Sequence, residues 1–125
     1  MHYCTSSAYL ESEHDVRMKK ILFNFKYKGR HLIVMKMSSS NLEWLCGYIS
    51  LTDIDMFKLK YPTTSYDLID NSVFKNFIGD VTFFGNLNEY PDEIFVGFDT
   101  NFRLPPSNLY CVQALIETAD NLDFL

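Results

Sequence analysis

A chain of 125 residues suits one hydrophobic core, and two domains of half that length would each be marginal. With 47% hydrophobic and 22% charged residues it lies far from the composition of disordered chains and is expected to fold. The net charge of −5 argues against general nucleic-acid binding, which needs a broad basic face to neutralise phosphates.

Residues 1–17 are polar and without a sustained period, carrying Ser6, Ser7, Ser12, Glu11, Glu13 and Asp15. Met18-Lys19-Lys20-Ile21-Leu22-Phe23 then looks like the start of a bacterial-type reading frame, so one α+β domain is expected over 18–125, with 1–17 a polar extension. No basic start leads into an apolar run, so no secretory signal is expected. The apolar runs around Ile21–Phe25 and Leu32–Met35 fall far short of the ~20 residues of a membrane span. Cys4, Cys46 and Cys111 are widely spaced and odd in number, which fits a reducing compartment, and the bacterial cytoplasm is the expected location. His2, His14 and His31 do not cluster with them, so no metal and no cofactor is expected.

From Ile21 the pattern has period two: Ile21, Phe23, Phe25 and Tyr27 lie on one face, and Leu22, Asn24, Lys26 and Lys28 on the other. Gly29-Arg30 reads as the turn of a hairpin whose second strand resumes at Leu32–Met37. Ser38-Ser39-Ser40-Asn41 is a loop. Glu43 to Leu51 is a third strand, with Gly47 marking a bulge or a close backbone approach. Residues 52–79 are weakly patterned, with a break at Tyr61-Pro62 and room between Ser65 and Phe77 for a short helix or an excursion that shapes a site. Val81–Phe84 and Ile94–Phe98 are two further strands joined by a Gly85–Glu93 loop rich in turn residues. Ser107 or Asn108 caps a final helix whose stripe is Leu109, Val112, Ile116 and Ala119, widened by Leu115 and Leu122, with Gln113, Glu117 and Asp120 facing water. The expected fold class is α+β: a mostly antiparallel sheet of about five strands, opened by a hairpin and covered on one face by the helix.

Three segments combine glycine with aromatic residues: Trp44-Leu45-Cys46-Gly47-Tyr48-Ile49, Gly79-Asp80-Val81-Thr82-Phe83 and Phe95-Val96-Gly97-Phe98-Asp99. Their order, followed by a closing helix, resembles a group of small uncharacterised phage and prophage proteins over roughly residues 44–122. In that group a Gly-Tyr-Val strand precedes a His-Gly-Gly-Leu-Thr-Tyr segment and a Trp-Trp-Ile-Gly-Phe-Asp-Cys-Ala-His segment. This chain departs at both histidines, with Ile78 and Phe102 in their places. Histidine is the usual acid, base or ligand near neutral pH, so the departures put any catalytic role of those positions in doubt.

No phosphate loop, dinucleotide fingerprint or nucleophile elbow occurs. Cys46 and Cys111 sit in apolar sequence and read as small core residues. The seven basic residues Arg17, Lys19, Lys20, Lys26, Lys28, Arg30 and Lys36 fall in a stretch free of acids, which allows a local phosphate contact. The expectation is a non-catalytic binding protein that counters a host function such as antiviral defence. In one mode Trp44, Tyr48, Phe83 and Phe98, with Asp99, Arg30, Lys36 or Arg103, hold a planar anionic molecule such as a nucleotide by stacking and charge-assisted hydrogen bonds. In the other, an acidic surface including Asp53, Asp55, Asp92 and Glu93 docks on a host protein. The rival readings are a small metal-dependent hydrolase or transferase using Asp80 and Asp99 on a nucleotide, and a self-associating structural domain.

Overall fold

A computed structural model of the chain describes residues 18–40, 42–100 and 105–125. Five antiparallel strands form one sheet: β1 (Met18–Tyr27), β2 (Arg30–Ser39), β3 (Leu42–Ser50), β4 (Phe83–Leu87) and β5 (Tyr90–Asp99), in the spatial order β1-β2-β3-β5-β4. Between β3 and β4 lie a six-residue helix α1 (Asp53–Lys58) and two 3₁₀ turns at Ser65–Asp67 and Ser72–Phe74. The C-terminal helix α2 (Leu109–Asp123) closes the fold. The expected α+β architecture, with its N-terminal hairpin and covering helix, is the observed one. No described helix is long and apolar enough to cross a membrane.

The hairpin turns at Lys28-Gly29 rather than Gly29-Arg30, because Tyr27 pairs with Arg30. Both turn residues have positive φ, 53° and 79°, the backbone of the two-residue turn that matches strand twist. Arg30 is thereby a strand residue. In β1 the pairing shifts between Ile21 and Phe23, a bulge that places Leu22 as well as Phe23 against the helix-side core and leaves Ile21 40% exposed. A strict period-two reading misses that extra residue.

The sheet buries both faces. Under α2 lie Leu32, Val34, Leu45, Ile49, Val96 and Phe98, joined by Leu59, Leu68, Val73, Phe74, Phe77 and Val81 from the excursion over 52–82. That excursion therefore packs into the core. Asn121 fastens it by donating to the Val73 carbonyl and to Asn76 Oδ1 at 3.1 and 2.7 Å. The opposite face holds a second cluster of Ile33, Met35, Met37, Trp44, Cys46, Tyr48, Phe83, Leu87 and Phe95.

The hairpin of β4 and β5 is longer than expected, turning at Asn88-Glu89 instead of looping from Gly85 to Glu93. Gly85 pairs with Phe95 and Leu87 with Tyr90, so residues 91–94 lie opposite Asn86 alone. Pro91, which cannot donate to a ladder, falls within this irregular stretch. The hairpin curls back over the second core: Asn24 donates to Tyr90 Oη at 2.8 Å, Lys19 pairs with Glu89 at 3.3 Å, and His31 meets the Tyr90 ring edge-on at 4.3 Å.

Two glycines make the centre of the sheet possible. Gly47 pairs with Phe98 and Tyr48 with Gly97. A Cβ on Gly47 would stand 2.5 Å from the Phe98 ring, and one on Gly97 would stand 2.7 Å from the Tyr48 ring and 2.8 Å from the Gly47 carbonyl oxygen. Each ring lies over its partner glycine, one on each face of the sheet.

In α2 the buried positions are Cys111, Ala114, Leu115, Thr118, Ala119 and Leu122, while Leu109 is 59% exposed. The helix is rotated from the expected stripe. Small residues face the sheet at close approach, and Thr118 satisfies its hydroxyl by donating to the Ala114 carbonyl at 2.8 Å.

Candidate functional site

A cavity of about 550 Å³ lies where the ends of β1, β2 and β3 meet the start of α2. Its apolar lining comes from Leu22, Leu45, Pro105 and Pro106; its polar groups are Lys20, Lys36, Ser38, Glu43, Ser107 and Asn108. Lys20 and Lys36 are direct cross-strand partners. Like charges placed opposite one another destabilise a strand pair, so their presence over a concave surface marks a place where an anion would relieve repulsion.

Lys36 Nζ lies 3.4 Å from Glu43 Oε1, both side chains being well exposed, an ion pair worth at most about 1 kcal/mol. Lys20 makes no ion pair with a described residue. The first turn of α2 carries no acidic residue, so nothing there offsets the positive end of the helix dipole. Its amides are already engaged: Leu109 N–H donates to Ser107 Oγ at 3.1 Å, while the N-cap Asn108 makes no side-chain cap bond, and Tyr110 and Cys111 N–H donate to the carbonyls of Ser107 and Asn108. The helix contributes its dipole, and the lysines supply the donors.

Of the expected site residues, Lys36 lines this cleft. Trp44, Tyr48 and Phe83 are buried in the second core and Phe98 in the first, none more than 8% exposed. They pack, as Tyr48 does edge-on against Phe83 at 5.5 Å, and present no open stacking face. Asp99 is half-buried at the end of β5, opposite Cys46. Arg103 and Phe102 lie outside the described residues, as does the expected extension over 1–17.

Arg30 is turned inward and holds three elements together. Its Nε and Nη2 each donate to a different oxygen of Asp55 at 2.8 Å, and Nη1 meets Asp123 Oδ1 at 2.8 Å. Asp55 also closes a capping box on α1, accepting from Thr52 N–H while its own N–H donates to Thr52 Oγ1. Burial would raise the Asp55 carboxyl, but the Arg30 bonds and the Thr52 amide outweigh it and hold the group below the ordinary carboxylate range. Asp55 is thus a structural anchor, unlike the exposed Asp53 and Asp92.

Asp80 is exposed on the wall of a shallow cavity with Asp70 and Asn71, and Asp99 is not among its lining. Among the described residues no group of three or more His, Cys, Asp or Glu is placed to hold a metal ion. Cys111 is buried, which pushes its thiol up to about 12, so it is a protonated core residue at neutral pH.

Sequence reasoning missed Lys20 as a site residue. The signal was available in the hairpin register, which sets Lys20 against Lys36 once the bulge is known. Compared with protein-family models, curated proteins and solved structures, the chain matches none of them.

Proposed function

We propose that the protein binds a small phosphate-bearing, nucleotide-like molecule in the cleft between Lys20, Lys36 and the start of α2, without transforming it. The observation that carries this reading is the cross-strand Lys20–Lys36 pair lining the cavity, in which Glu43 offsets Lys36 alone. The cavity volume falls within the roughly 300–1,000 Å³ of small-molecule sites. The apolar side chains in its lining suit a planar group, while two ammonium groups and the helix dipole favour negative charge beside it. The resemblance to phage proteins supplies the setting: a bacterial cytoplasm, in which such a protein withdraws a nucleotide-like ligand from a host defence.

The test is calorimetric and thermal titration with nucleoside mono-, di- and triphosphates, cyclic nucleotides and inorganic phosphate. A nucleotide should raise the unfolding midpoint, corresponding to about 2.7 kcal/mol at a hundredfold excess over Kd. Lys20→Ala/Lys36→Ala should abolish that rise while leaving the unliganded midpoint unchanged or slightly higher, since it removes a repulsion. A midpoint indifferent to every phosphate compound, or a rise that survives the double substitution, would overturn the reading.

A further inference from the structure

On the far side of the Arg30 anchor, α1 presents its apolar side chains to solvent. Ile54 and Phe57 are each 65% exposed and Tyr61 63%, whereas Asp55 and Leu59 point inward. Ile54 and Phe57 are one turn apart, and the Phe57 and Tyr61 rings meet edge-on with centroids 6.2 Å apart. This arrangement is held by strained backbone. Lys60 and Tyr61 are consecutive non-glycine residues with φ of 67° and 53°, a conformation that costs about 1–3 kcal/mol per residue and clusters at binding sites. The turn is fixed by Tyr61 N–H donating to the Met56 carbonyl at 2.8 Å and Lys60 N–H to that of Phe57 at 3.0 Å. The base of the platform is equally firm, through the two-pronged Arg30–Asp55 pair and the Thr52 capping box.

Three large apolar groups on a rigid mount are ready to bind without further ordering. Their surroundings identify the occupant by charge. Lys58 and Lys60 flank Phe57 and Tyr61, are exposed, and form no ion pair with a described residue, on a chain whose net charge is −5. An acidic protein segment complements this spot. A six-residue helix gives a bilayer little to hold.

We infer that the Ile54–Phe57–Tyr61 platform is a docking site for a short acidic protein segment that inserts one or two bulky apolar side chains among these groups and sets its carboxylates on Lys58 and Lys60. The site is separate from the Lys20–Lys36 cleft and does not depend on it.

A randomised peptide library panned against the immobilised protein tests this directly. The expected outcome is enrichment of peptides with Leu, Phe or Trp beside Asp or Glu, whose binding shifts the amide resonances of Ile54, Phe57 and Tyr61. Phe57→Ser, at an exposed position that leaves the core intact, should weaken the selected peptides about tenfold or more, in line with loss of a central anchor. Lys58→Glu/Lys60→Glu should reverse the preference for acidic flanks, and Lys20→Ala/Lys36→Ala should leave binding unchanged. The inference is overturned if no peptides enrich, if basic peptides enrich, or if the shifts fall elsewhere. It is also overturned if the platform instead mediates association of copies of this chain, seen as a mass that falls on Phe57→Ser, or binding to phosphatidylglycerol vesicles.

Discussion

Arg30 and Asp55 together show how two charged residues become part of the interior. Their side chains are 5% and 1% exposed, so each charge is tolerable only because it is paired with well-formed hydrogen bonds, Asp55 by Arg30 and Arg30 by both Asp55 and Asp123. Asp55→Asn should cost about 3 kcal/mol, the lower end of the range for breaking a buried pair, because Arg30 keeps Asp123 as a partner. Arg30→Lys should not restore the wild-type midpoint, since an ammonium cannot make the two parallel bonds. The pH dependence has a definite sign. The Asp55 carboxyl is held below its ordinary value in the folded chain, so its contribution is whole above that value, about 3.9, and is lost as pH falls through the lower folded value. Melting curves taken from neutral pH down through this range should show the gap between wild type and Asp55→Asn narrowing only on the acid side. A constant gap would mean that the bond pattern, and not ionisation, carries the effect.

At the scale of elements, the middle of the sheet depends on the reciprocal glycine and aromatic pairs. Gly47→Ala and Gly97→Ala should each destabilise by about 1–3 kcal/mol through overpacking, with Gly97→Ala the worse of the two. Its new methyl meets a carbonyl of the neighbouring strand as well as the Tyr48 ring, and backbone yields less than a ring. Equilibrium denaturation of the two variants checks the order. The β4–β5 hairpin offers a second case, since Tyr90 joins it to β1 and β2 through Asn24 and His31. Tyr90→Phe should cost about 0.5–1.5 kcal/mol for the lost hydrogen bond. Tyr90→Ala should in addition raise amide exchange selectively over 83–95 and expose Trp44, the single tryptophan, to a fluorescence quencher.

These elements also mark what the sequence made legible. Strand alternation and the Gly29 turn gave the hairpin, and the Pro-Pro-Ser-Asn stop gave the last helix, because both are local signals. The phase of that helix was not local: two apolar stripes were possible, and contact with the sheet chose the one with small residues. Asn86, Asn88 and Pro91 read as a loop because turn-forming composition cannot distinguish a loop from a hairpin with a wide irregularity. The aromatics expected to stack on a ligand were instead the core, and for Tyr48 and Phe98 the glycines opposite them were the sign of it. Lys36 was legible as a cation, but its partner Lys20 depended on the register of a bulged pair.

For the whole molecule, the Arg30 cluster ties residue 30 to residues 55 and 123, so the first hairpin, the first helix and the last helix are secured at one point. Tyr27 and Lys28 add bonds to Asp120 at 2.9 and 2.8 Å. The cationic cleft and the apolar platform therefore sit on one continuous framework. A chain is made from one end to the other, and this framework sets an order on its maturation. The meander of residues 18–50 has only local pairings and can form early, but it emerges with apolar side chains on both faces and with neither Asp55 nor Asp123 yet in place for Arg30. Residues 83–99 must arrive to supply the fourth and fifth strands, and residues 109–123 to roof the helix side. A sheet without those parts exposes apolar surface, the kind of species that is prone to aggregate, and burial of its helix-side face waits on the last helix.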